Sequence, residues 1–327
     1  MGLTSKLILV TGASGHLGNN VVRCLIEKGY RVRALVRSYS RSLDGVSCEI
    51  VRGDVLDVDT LKNAFDGVSY VIHCAAQISI AGNLRGEVYK INVMGTKNVL
   101  QVAKKNNVEK LVYVGSIHAF KDNGGLVNES SEIVDHDGSP YDMSKAEALR
   151  IVKAEAMEGL NVCAVCPTAL IGPYDFKPSF IGRFLISLSK GKVPALVEGG
   201  FDWVDVRDVA SGVVNALDKG RPGDLFILSG EYLRVRELAE IWGEVSNLPI
   251  PKIVFPLNLA ILGATAVEVV SRFTGNSPIF TREAIRALKW RSKISRERAE
   301  TQLGYRPRPL RETLKDTYKW FKEYGYI

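Results

Sequence analysis

The sequence lacks any long uncharged apolar run. The longest one, between Lys252 and Glu268, has 15 residues and contains Pro256 and Gly263, whereas a helix that crosses a bilayer needs about 20 apolar residues. The apolar run at residues 7–10 is too short for the core of a signal peptide. We therefore expect a cytoplasmic protein without a transmembrane segment.

Cysteine is also scarce, and its spacing does not predict a disulfide framework. The five cysteines are an odd number, which fits a reducing compartment. Cys163 and Cys166 form one Cys-x-x-Cys, which could be half of a redox or zinc site, but the chain has no second pair. They lie in a predicted strand, where residues three apart point to opposite faces. We predict no metal site.

The chain has no long run of charge of one sign, although 43 basic and 36 acidic residues give a net charge of +7. Arginines are dense from Arg282 to Arg311, which could indicate a nucleic-acid or membrane surface. Glutamates are mixed with them, and no interleaved platform of aromatic residues for stacking on bases accompanies the arginines. We expect solvated helix faces and no nucleic-acid partner.

What the sequence does contain is a glycine-rich stretch at its start, residues 6–18, which reads KLILVTGASGHLG. Its leading apolar residues are typical of a parallel strand buried on both faces. Gly12, Gly15 and Gly18 would let the chain turn tightly and bring backbone N–H groups close to a ligand. A helix beginning near His16 would point its positive end at the same place. This arrangement predicts a site for a dinucleotide pyrophosphate.

Strand and helix patterns alternate through residue 115. This alternation predicts an α/β fold built on a doubly wound parallel sheet, a Rossmann fold. The later predicted strands span residues 31–36, 48–52, 69–74 and 110–115, and the predicted helices between them span 57–65 and 84–106.

The alternation ends after a strand that begins at residue 161. We expect residues 1–166 to form the dinucleotide-binding domain, with late strands and helices from the second half returning to it. Residues 167–327 would mainly form a smaller substrate-binding cap. In this half, the apolar residues 257–273 predict a helix that could line an apolar substrate pocket, touch a membrane surface or pack in the core.

Residues just after the predicted strands are candidate cofactor contacts, because ligands of such sheets bind at the carboxyl ends of the strands. Arg37 follows the second strand, and no acid occurs until Asp44. This favours NADP(H), whose 2′-phosphate needs a cation, while NAD(H) stays possible. Asp54 could accept a hydrogen bond from the adenine amino group. His73, which lies among apolar residues, is expected to be a buried core residue.

A serine and a helix start complete the candidate site. Ser116 follows the fifth strand, and Ser139 with Pro140 predicts the beginning of a helix. Tyr141 and Lys145 are four residues apart and therefore share one face of that helix. Either residue could also be there for packing alone.

With these residues in place, the chain resembles the extended short-chain dehydrogenase/reductase family, most closely its dihydroflavonol reductase and 3β-hydroxysteroid dehydrogenase branch. The resemblance covers nearly the whole chain. It rests on Thr11-Gly12-x-x-Gly15-x-x-Gly18, His73-Cys74-Ala75-Ala76, Asn92-Val93-x-Gly95-Thr96, Ser116, Tyr141-x-x-x-Lys145, Pro167-Thr168 with Gly172-Pro173, Trp203-Val204-Asp205-Val206 and Leu303-Gly304-Tyr305-x-Pro307.

The resemblance implies roles for individual residues. Tyr141 would exchange the proton, and Lys145 would bind the nicotinamide ribose and activate Tyr141. Ser116 would hydrogen-bond the substrate oxygen, and Asn92 would complete the site through a water. Relatives usually carry Ser or Thr at the position of Gly115, so this chain departs from the pattern there. His118 replaces a small residue of many relatives and could contact the substrate.

The cofactor contacts expected from the strand ends and from the resemblance form one set. It consists of Gly12, Ser14, Gly15, His16, Leu17, Gly18, Arg37, Asp54, Val55, Cys74, Ala75, Ala76, Tyr141, Lys145, Pro167 and Thr168.

The resemblance implies an NADPH-dependent oxidoreductase that reduces an aldehyde or ketone to an alcohol, or runs the reverse reaction. The alternative on the same scaffold is a nucleotide-sugar epimerase or dehydratase with bound NAD. A non-catalytic protein that senses NAD(P) is a third possibility. The expected partner is a small carbonyl or alcohol substrate, for which the apolar residues 257–273 favour a hydrophobic compound. The resemblance also implies a homodimer.

Overall fold

A computed structural model describes residues 6–78, 86–261, 285 and 287–327 of the chain. Its fold is a parallel sheet between two layers of helices, with three small sheets beside it. The described strands are β1 (Leu7–Thr11), β2 (Arg31–Val36), β3 (Glu49–Arg52), β4 (Tyr70–His73), β5 (Lys110–Val114), β6 (Leu126–Val127), β7 (Val162–Pro167), β8 (Ala169–Ile171), β9 (Leu196–Val197), β10 (Gly200–Asp205), β11 (Leu225–Leu228), β12 (Glu231–Arg234), β13 (Val254–Phe255) and β14 (Lys293–Ile294).

Helices connect most of these strands. The described α-helices are α1 (His16–Glu27), α2 (Val58–Ala64), α3 (Glu87–Tyr89), α4 (Gly95–Lys105), α5 (Pro140–Met157), α6 (Phe180–Ser189), α7 (Val206–Lys219), α8 (Val235–Ser246), α9 (Glu297–Leu303) and α10 (Leu310–Glu323). None of the helices in these residues is both long and apolar enough to cross a bilayer.

The main sheet has seven strands in the order β3-β2-β1-β4-β5-β7-β11, and every pair in it is parallel. The chain starts in the middle at β1, moves outward to β3 and then returns to the other side of β1 at β4. This confirms the predicted doubly wound sheet. The order of strands reverses between β1 and β4, which is where such sheets bind ligands.

The strands are apolar throughout because both faces of the sheet are covered. Leu7 and Leu9 of β1 lie in one hydrophobic core, and Ile8 and Val10 lie in the other. Helices α2, α4 and α5 cover the first face, while α1, α7 and α9 cover the second. Successive side chains of a strand alternate between faces, so a fully covered strand needs apolar residues at every position.

The second half of the chain contributes to both parts of the molecule. Its β11 forms an edge of the main sheet beside β7, and its α7 packs against α1. The remaining strands form the small sheets β12-β10-β8, β13-β9 and β14-β6. Helices α6, α8 and α10 pack near them through residues such as Phe184, Trp242 and Phe321. The division at residue 166 into two domains stays a prediction.

Two predicted helices differ from the structure or extend beyond the described residues. The helix predicted over 84–106 consists of α3, a π-helical turn at Lys90–Met94, and α4, and residues 84 and 85 lie outside the described residues. Of the helix predicted over 257–273, only residues 257–261 are described, and they are helical. Several strands of two to four residues were not predicted, because so few residues carry no recognisable period.

Candidate active site

The glycine-rich turn after β1 is tight and leaves a helix start without a side-chain cap. Gly12 has φ +66°, and a Cβ atom there would lie 2.6 Å from the backbone nitrogen of Ala75. A Cβ atom at Gly18 would overlap the carbonyl oxygen of Gly12. Gly15 is the N-cap of α1, and within the described part of the chain no side chain caps the start of this helix. These donors and the helix dipole can therefore bind an anion.

The other candidate residues follow the carboxyl ends of parallel strands, so they lie at the same edge of the sheet as Gly12. Arg37 is exposed directly after β2. Asp54 follows β3 and is half-buried, with Oδ1 accepting from the Leu56 N–H at 2.9 Å. The tripeptide Cys74-Ala75-Ala76 follows β4, and Ser116 follows β5.

Several predicted cofactor contacts use their side chains within the protein. The Nε2 atom of His16 lies 3.1 Å from the carbonyl oxygen of Pro173. The Thr168 hydroxyl donates to Asp202 Oδ1 at 2.6 Å. At these positions, main-chain atoms would therefore make most of the contacts with a cofactor. Leu17, Val55 and Pro167 are buried, and Ser14 is half-buried.

Tyr141 is presented by a helix start that is fixed by its own cap. The Ser139 hydroxyl accepts from the Asp142 N–H at 3.1 Å, and the Ser139 N–H donates to Asp142 Oδ2 at 2.9 Å. Pro140 stands at the first turn, as predicted. The side chain of Ser116 lies close enough to Tyr141 to lower the pKa of its phenol. Residues 25 positions apart in the sequence are thus brought together at the edge of the sheet.

The environment of Tyr141 keeps its phenol protonated. Burial raises the pKa of Tyr141 to about 12, and the charge of Asp142 acts in the same direction. The side chain of Ser116 opposes these effects. At neutral pH, the phenol of Tyr141 is therefore protonated.

Lys145 lies one turn further along α5 and is almost completely buried, at 3% exposure. Its Nζ donates to the carbonyl oxygen of Val114 at 3.2 Å and lies 5.6 Å from the centre of the Tyr113 ring. Burial lowers its pKa to about 8, against smaller opposite effects of Cys166 and Cys74. The ammonium is therefore held near its titration point beside the candidate site.

Asn92 holds the segment after β4 against α5. Its Oδ1 accepts from the Gln77 N–H at 2.7 Å, and its Nδ2 donates to the Gln77 carbonyl at 3.1 Å and to the Ser144 hydroxyl at 2.9 Å. It lies in the π-helical turn Lys90–Met94. That Asn92 also completes the site through a water stays a prediction.

The departure at Gly115 has a steric reason. A Cβ atom at this position would lie 2.6 Å from the Sγ atom of Cys166 on the neighbouring strand β7. The thiol of Cys166 fills the space that a serine or threonine side chain would need. Gly115 and Cys166 therefore form one complementary pair, and that Ser116 supplies the hydroxyl of the site stays a prediction.

The two residues of the Cys-x-x-Cys lie on opposite faces of the main sheet, as predicted. Cys163 packs in the core under α1 and α7, and Cys166 packs in the core on the other face. Burial raises the pKa of each thiol to about 12. Within the residues that the structure describes, no group of three His, Cys, Asp or Glu side chains could hold a metal.

His73 is buried, as predicted, and it joins the glycine-rich turn to the helical layer. Thr96 Oγ1 donates to the Asn92 carbonyl at 2.7 Å, so it accepts from His73 Nε2–H at 3.1 Å. His73 Nδ1 then accepts from Thr11 Oγ1 at 2.6 Å. Burial, assisted by the charge of Lys145, lowers the pKa of His73 to about 3. The ring is neutral, and its tautomer is fixed by these partners.

An aromatic wall beside Tyr141 was not predicted from the sequence. The ring of His118 is stacked on Phe201, with centroids 5.5 Å apart, and meets the edges of Tyr141 at 5.6 Å and Trp290 at 6.4 Å. The sequence suggested only that His118 could contact the substrate. Phe201 and Trp290 carry no local pattern that connects them to residue 118.

Known proteins similar to this chain match nearly its whole length. The NAD dependent epimerase/dehydratase family matches residues 8–228. Sterol demethylase protein B of Methylococcus capsulatus is 34% identical over 325 residues, which cover 98% of this chain and 99% of that protein. A putative dihydroflavonol 4-reductase of Synechocystis is 33% identical, with 97% and 95% covered. The crystal structure of gox2253 is 32% identical, with a TM-score of 0.85 and 98% and 99% covered.

These matches agree with the parallel seven-stranded sheet and the glycine-rich turn. The family match alone spans well over half of the chain. The chain therefore belongs to the NAD-dependent epimerase/dehydratase family, within the extended short-chain dehydrogenases/reductases, and is an oxidoreductase that uses an NAD(P) cofactor.

Proposed function

We propose that this protein is an NADPH-dependent reductase that converts a ketone or aldehyde to an alcohol, or catalyses the reverse reaction, with Ser116, Tyr141 and Lys145 as its catalytic residues. The observation that carries the proposal is the proximity of Ser116 and Tyr141, with the buried Lys145 one helical turn away. His118 donates its N–H to the Ser116 hydroxyl at 3.2 Å, its ring lies 5.6 Å from that of Tyr141, and Ser116 acts to lower the pKa of Tyr141. All three lie at the edge of the sheet that also presents the glycine-rich turn.

Each of the three residues has a chemical task that its environment supports. The cofactor, when bound, supplies or accepts the hydride. Tyr141, protonated because burial raises the pKa of its phenol, donates the proton that the new alcohol oxygen needs. Ser116 hydrogen-bonds the substrate oxygen as negative charge develops there. The Lys145 ammonium lowers the energy of the phenolate that forms when the proton leaves.

The aromatic wall supports an apolar, flat substrate. Phe201 and Trp290 are nearly buried and come from the second half of the chain, which supports our proposal that residues 167–327 mainly form the substrate-binding part. Rings pack well against flat apolar molecules. Two similar proteins are named for a sterol and a dihydroflavonol, which are both ring systems.

The choice of NADPH over NADH rests on Arg37. This arginine is exposed directly after β2, where the second ribose of a dinucleotide lies in such sheets. We expect NADPH to bind at least about tenfold more tightly than NADH, as measured by titration of nicotinamide fluorescence. Arg37→Glu should reverse this preference by repelling the 2′-phosphate. Equal affinities of the wild type for the two cofactors would contradict the assignment.

The proton-transfer role is tested by Tyr141→Phe, which removes only the phenolic oxygen. We expect kcat to fall by about 10²–10⁴ across a panel of ring-containing ketones and aldehydes, while the Kd for NADPH changes less than about threefold. Ser116→Ala should lower kcat as well, since it removes the donor to the substrate oxygen. Unchanged turnover in the Tyr141→Phe variant would refute the proposal.

The nucleotide that copurifies with the protein distinguishes this proposal from the family's epimerases and dehydratases. A reductase exchanges its cofactor in every turnover, so we expect little bound nucleotide after purification and dialysis. Nucleotide released by acid and separated by chromatography gives the answer. Stoichiometric NAD that does not exchange with added NADPH would favour the epimerase or dehydratase instead.

A further inference from the structure

We propose that His118 is a specificity residue, which accepts a hydrogen bond from a hydroxyl of the substrate close to the carbonyl that reacts. Asp142 acts as the positioning residue that fixes the orientation and tautomer of the His118 ring. This inference rests on the proposed reductase function and adds the chemical class of its substrate, a ketone that carries a neighbouring hydroxyl.

The position of His118 next to the reacting groups is set by its backbone. The N–H of His118 donates to the Ser116 hydroxyl oxygen at 3.2 Å. A short 3₁₀ turn, Ile117–Ala119, therefore begins at the proposed catalytic serine. The imidazole ring then lies 5.6 Å from the ring of Tyr141, centre to centre. A substrate that contacts both Ser116 and Tyr141 lies within reach of this ring.

Two contacts hold the ring in one orientation, and a third fixes the carboxylate that makes one of them. Nδ1 of His118 lies 3.0 Å from Asp142 Oδ1. The other carboxylate oxygen of Asp142 accepts from the Ser139 N–H, so the carboxylate itself cannot rotate freely. The planes of His118 and Phe201 differ by only 13°. Burial tends to raise the pKa of Asp142, but hydrogen bonds from His118 and Ser139 outweigh it and keep that pKa below its usual value.

The charge on Asp142 determines which nitrogen of a neutral ring carries hydrogen. An ionised carboxylate can only accept, so Nδ1 must donate to it. Nε2 is then left with a lone pair and can accept. Among the described residues, Nε2 has no hydrogen-bond partner. The atom is not sealed from solvent. The side chain of His118 keeps 26% of its surface exposed.

A substrate that covers this nitrogen must give it a partner. Phe201 and Trp290 pack on His118 with their rings. The Trp290 indole N–H donates to the Ser292 carbonyl at 2.9 Å, so neither ring supplies a donor to Nε2. If an apolar part of the substrate displaced water from Nε2, an acceptor would be left unpaired, which is unfavourable. A hydroxyl of the substrate would satisfy it. The site should therefore prefer a hydroxyketone over the same ketone without the hydroxyl.

The test compares ketones that differ by a single hydroxyl on the carbon beside the carbonyl, such as benzoin and deoxybenzoin, chosen from the ring-containing ketones that the wild type reduces. We expect wild-type kcat/KM to favour the hydroxylated member by about tenfold. His118→Phe keeps a ring that can stack on Phe201 but has no acceptor, so the ratio should fall to about one. Asp142→Asn allows the other tautomer and should lower the same ratio.

Ser139→Ala is the matched control for Asp142→Asn. It weakens the cap of the same helix but leaves the carboxylate beside His118, so stability should fall while the substrate ratio stays at the wild-type value. The proposal is overturned if the wild type shows no preference for the hydroxylated ketone, or if His118→Phe keeps that preference. A wild type that reduces no carbonyl compound with NADPH would instead overturn the proposed function, and NADPH binding measured separately shows whether the protein is folded.

Discussion

Lys145 is a single residue of the candidate site whose burial destabilises the folded chain. Lys145 is 3% exposed. Within the described residues, its amine makes one hydrogen bond, which it donates to the carbonyl oxygen of Val114. Burial lowers its pKa to about 8, from 10.5 for a free lysine. A lowered lysine pKa means that the charged amine is less stable in the folded chain than in the unfolded one.

Replacing Lys145 with Met should therefore stabilise the protein and inactivate it. Below pH 8 the amine is charged in both states, so the penalty is fully present there and is relieved as pH rises toward 10.5. We expect Lys145→Met to raise the free energy of unfolding by about 3 kcal/mol at pH 7, and about 2 kcal/mol of this gain to disappear by pH 9.5. Urea unfolding at both pH values measures it.

An equal gain from Lys145→Met at pH 7 and pH 9.5 would show that burial of the charge is not its cause. Reductase activity in the same preparation should be low at both values, because no ammonium remains to stabilise the phenolate of Tyr141.

At the scale of elements, the end of β5 and the neighbouring β7 are fitted to each other beside the site. Gly115 follows β5 and leaves room for Cys166, which is fully buried on β7. The two strands pair in parallel, with Val114 opposite Val165. Because interiors are close-packed, a larger residue at 115 needs a smaller one at 166.

Gly115→Ser should destabilise the protein by about 1–3 kcal/mol, because the new side chain would collide with the Cys166 thiol. Cys166→Ala alone should also destabilise it by leaving a cavity. The double variant should be more stable than the sum of the two effects predicts. Urea unfolding of all four proteins gives the coupling, and strictly additive changes would show that the two side chains do not compete for space.

At the scale of the whole molecule, His73 connects parts that are distant in the sequence. Its ring joins Thr11 at the end of β1 to Thr96 in α4, and the Ala75 N–H donates to the same Thr11 hydroxyl at 3.3 Å. The pKa of His73 is lowered to about 3 by burial first and by Lys145 second. The bond that Thr11 donates to Nδ1 requires the lone pair of a neutral ring, so this network resists protonation.

The stability of the molecule should consequently fall in acid. The unfolded chain binds a proton at His73 near pH 6.5 and the folded chain only near pH 3, so stability is full above pH 6.5 and is lost as pH falls toward 3. Between pH 7 and pH 4.5 this one group should cost about 2–3 kcal/mol. His73→Gln cannot take up the proton, so its unfolding free energy should fall by that much less over the same interval. The same loss in both proteins would contradict the assignment.

The sequence alone determined the parts of this protein that depend on local order. The buried strand with its glycines, the alternation of strands and helices, and the cap formed by Ser139 and Pro140 could each be predicted, because a continuous segment carries the pattern. Parallel strands then place every carboxyl end at one edge. For that reason Gly12, Arg37, Ala75 and Ser116 could be assigned to one site before any contact was known.

Only the tertiary structure decided which side chains from distant segments meet. The contacts of His118 with Asp142, Phe201 and Trp290, and the fit of Gly115 to Cys166, join residues between 24 and 172 positions apart. The pKa values of Tyr141 and Lys145 likewise depend on burial by several elements at once. Packing and desolvation are properties of the space around a side chain, and no local period in the sequence encodes them.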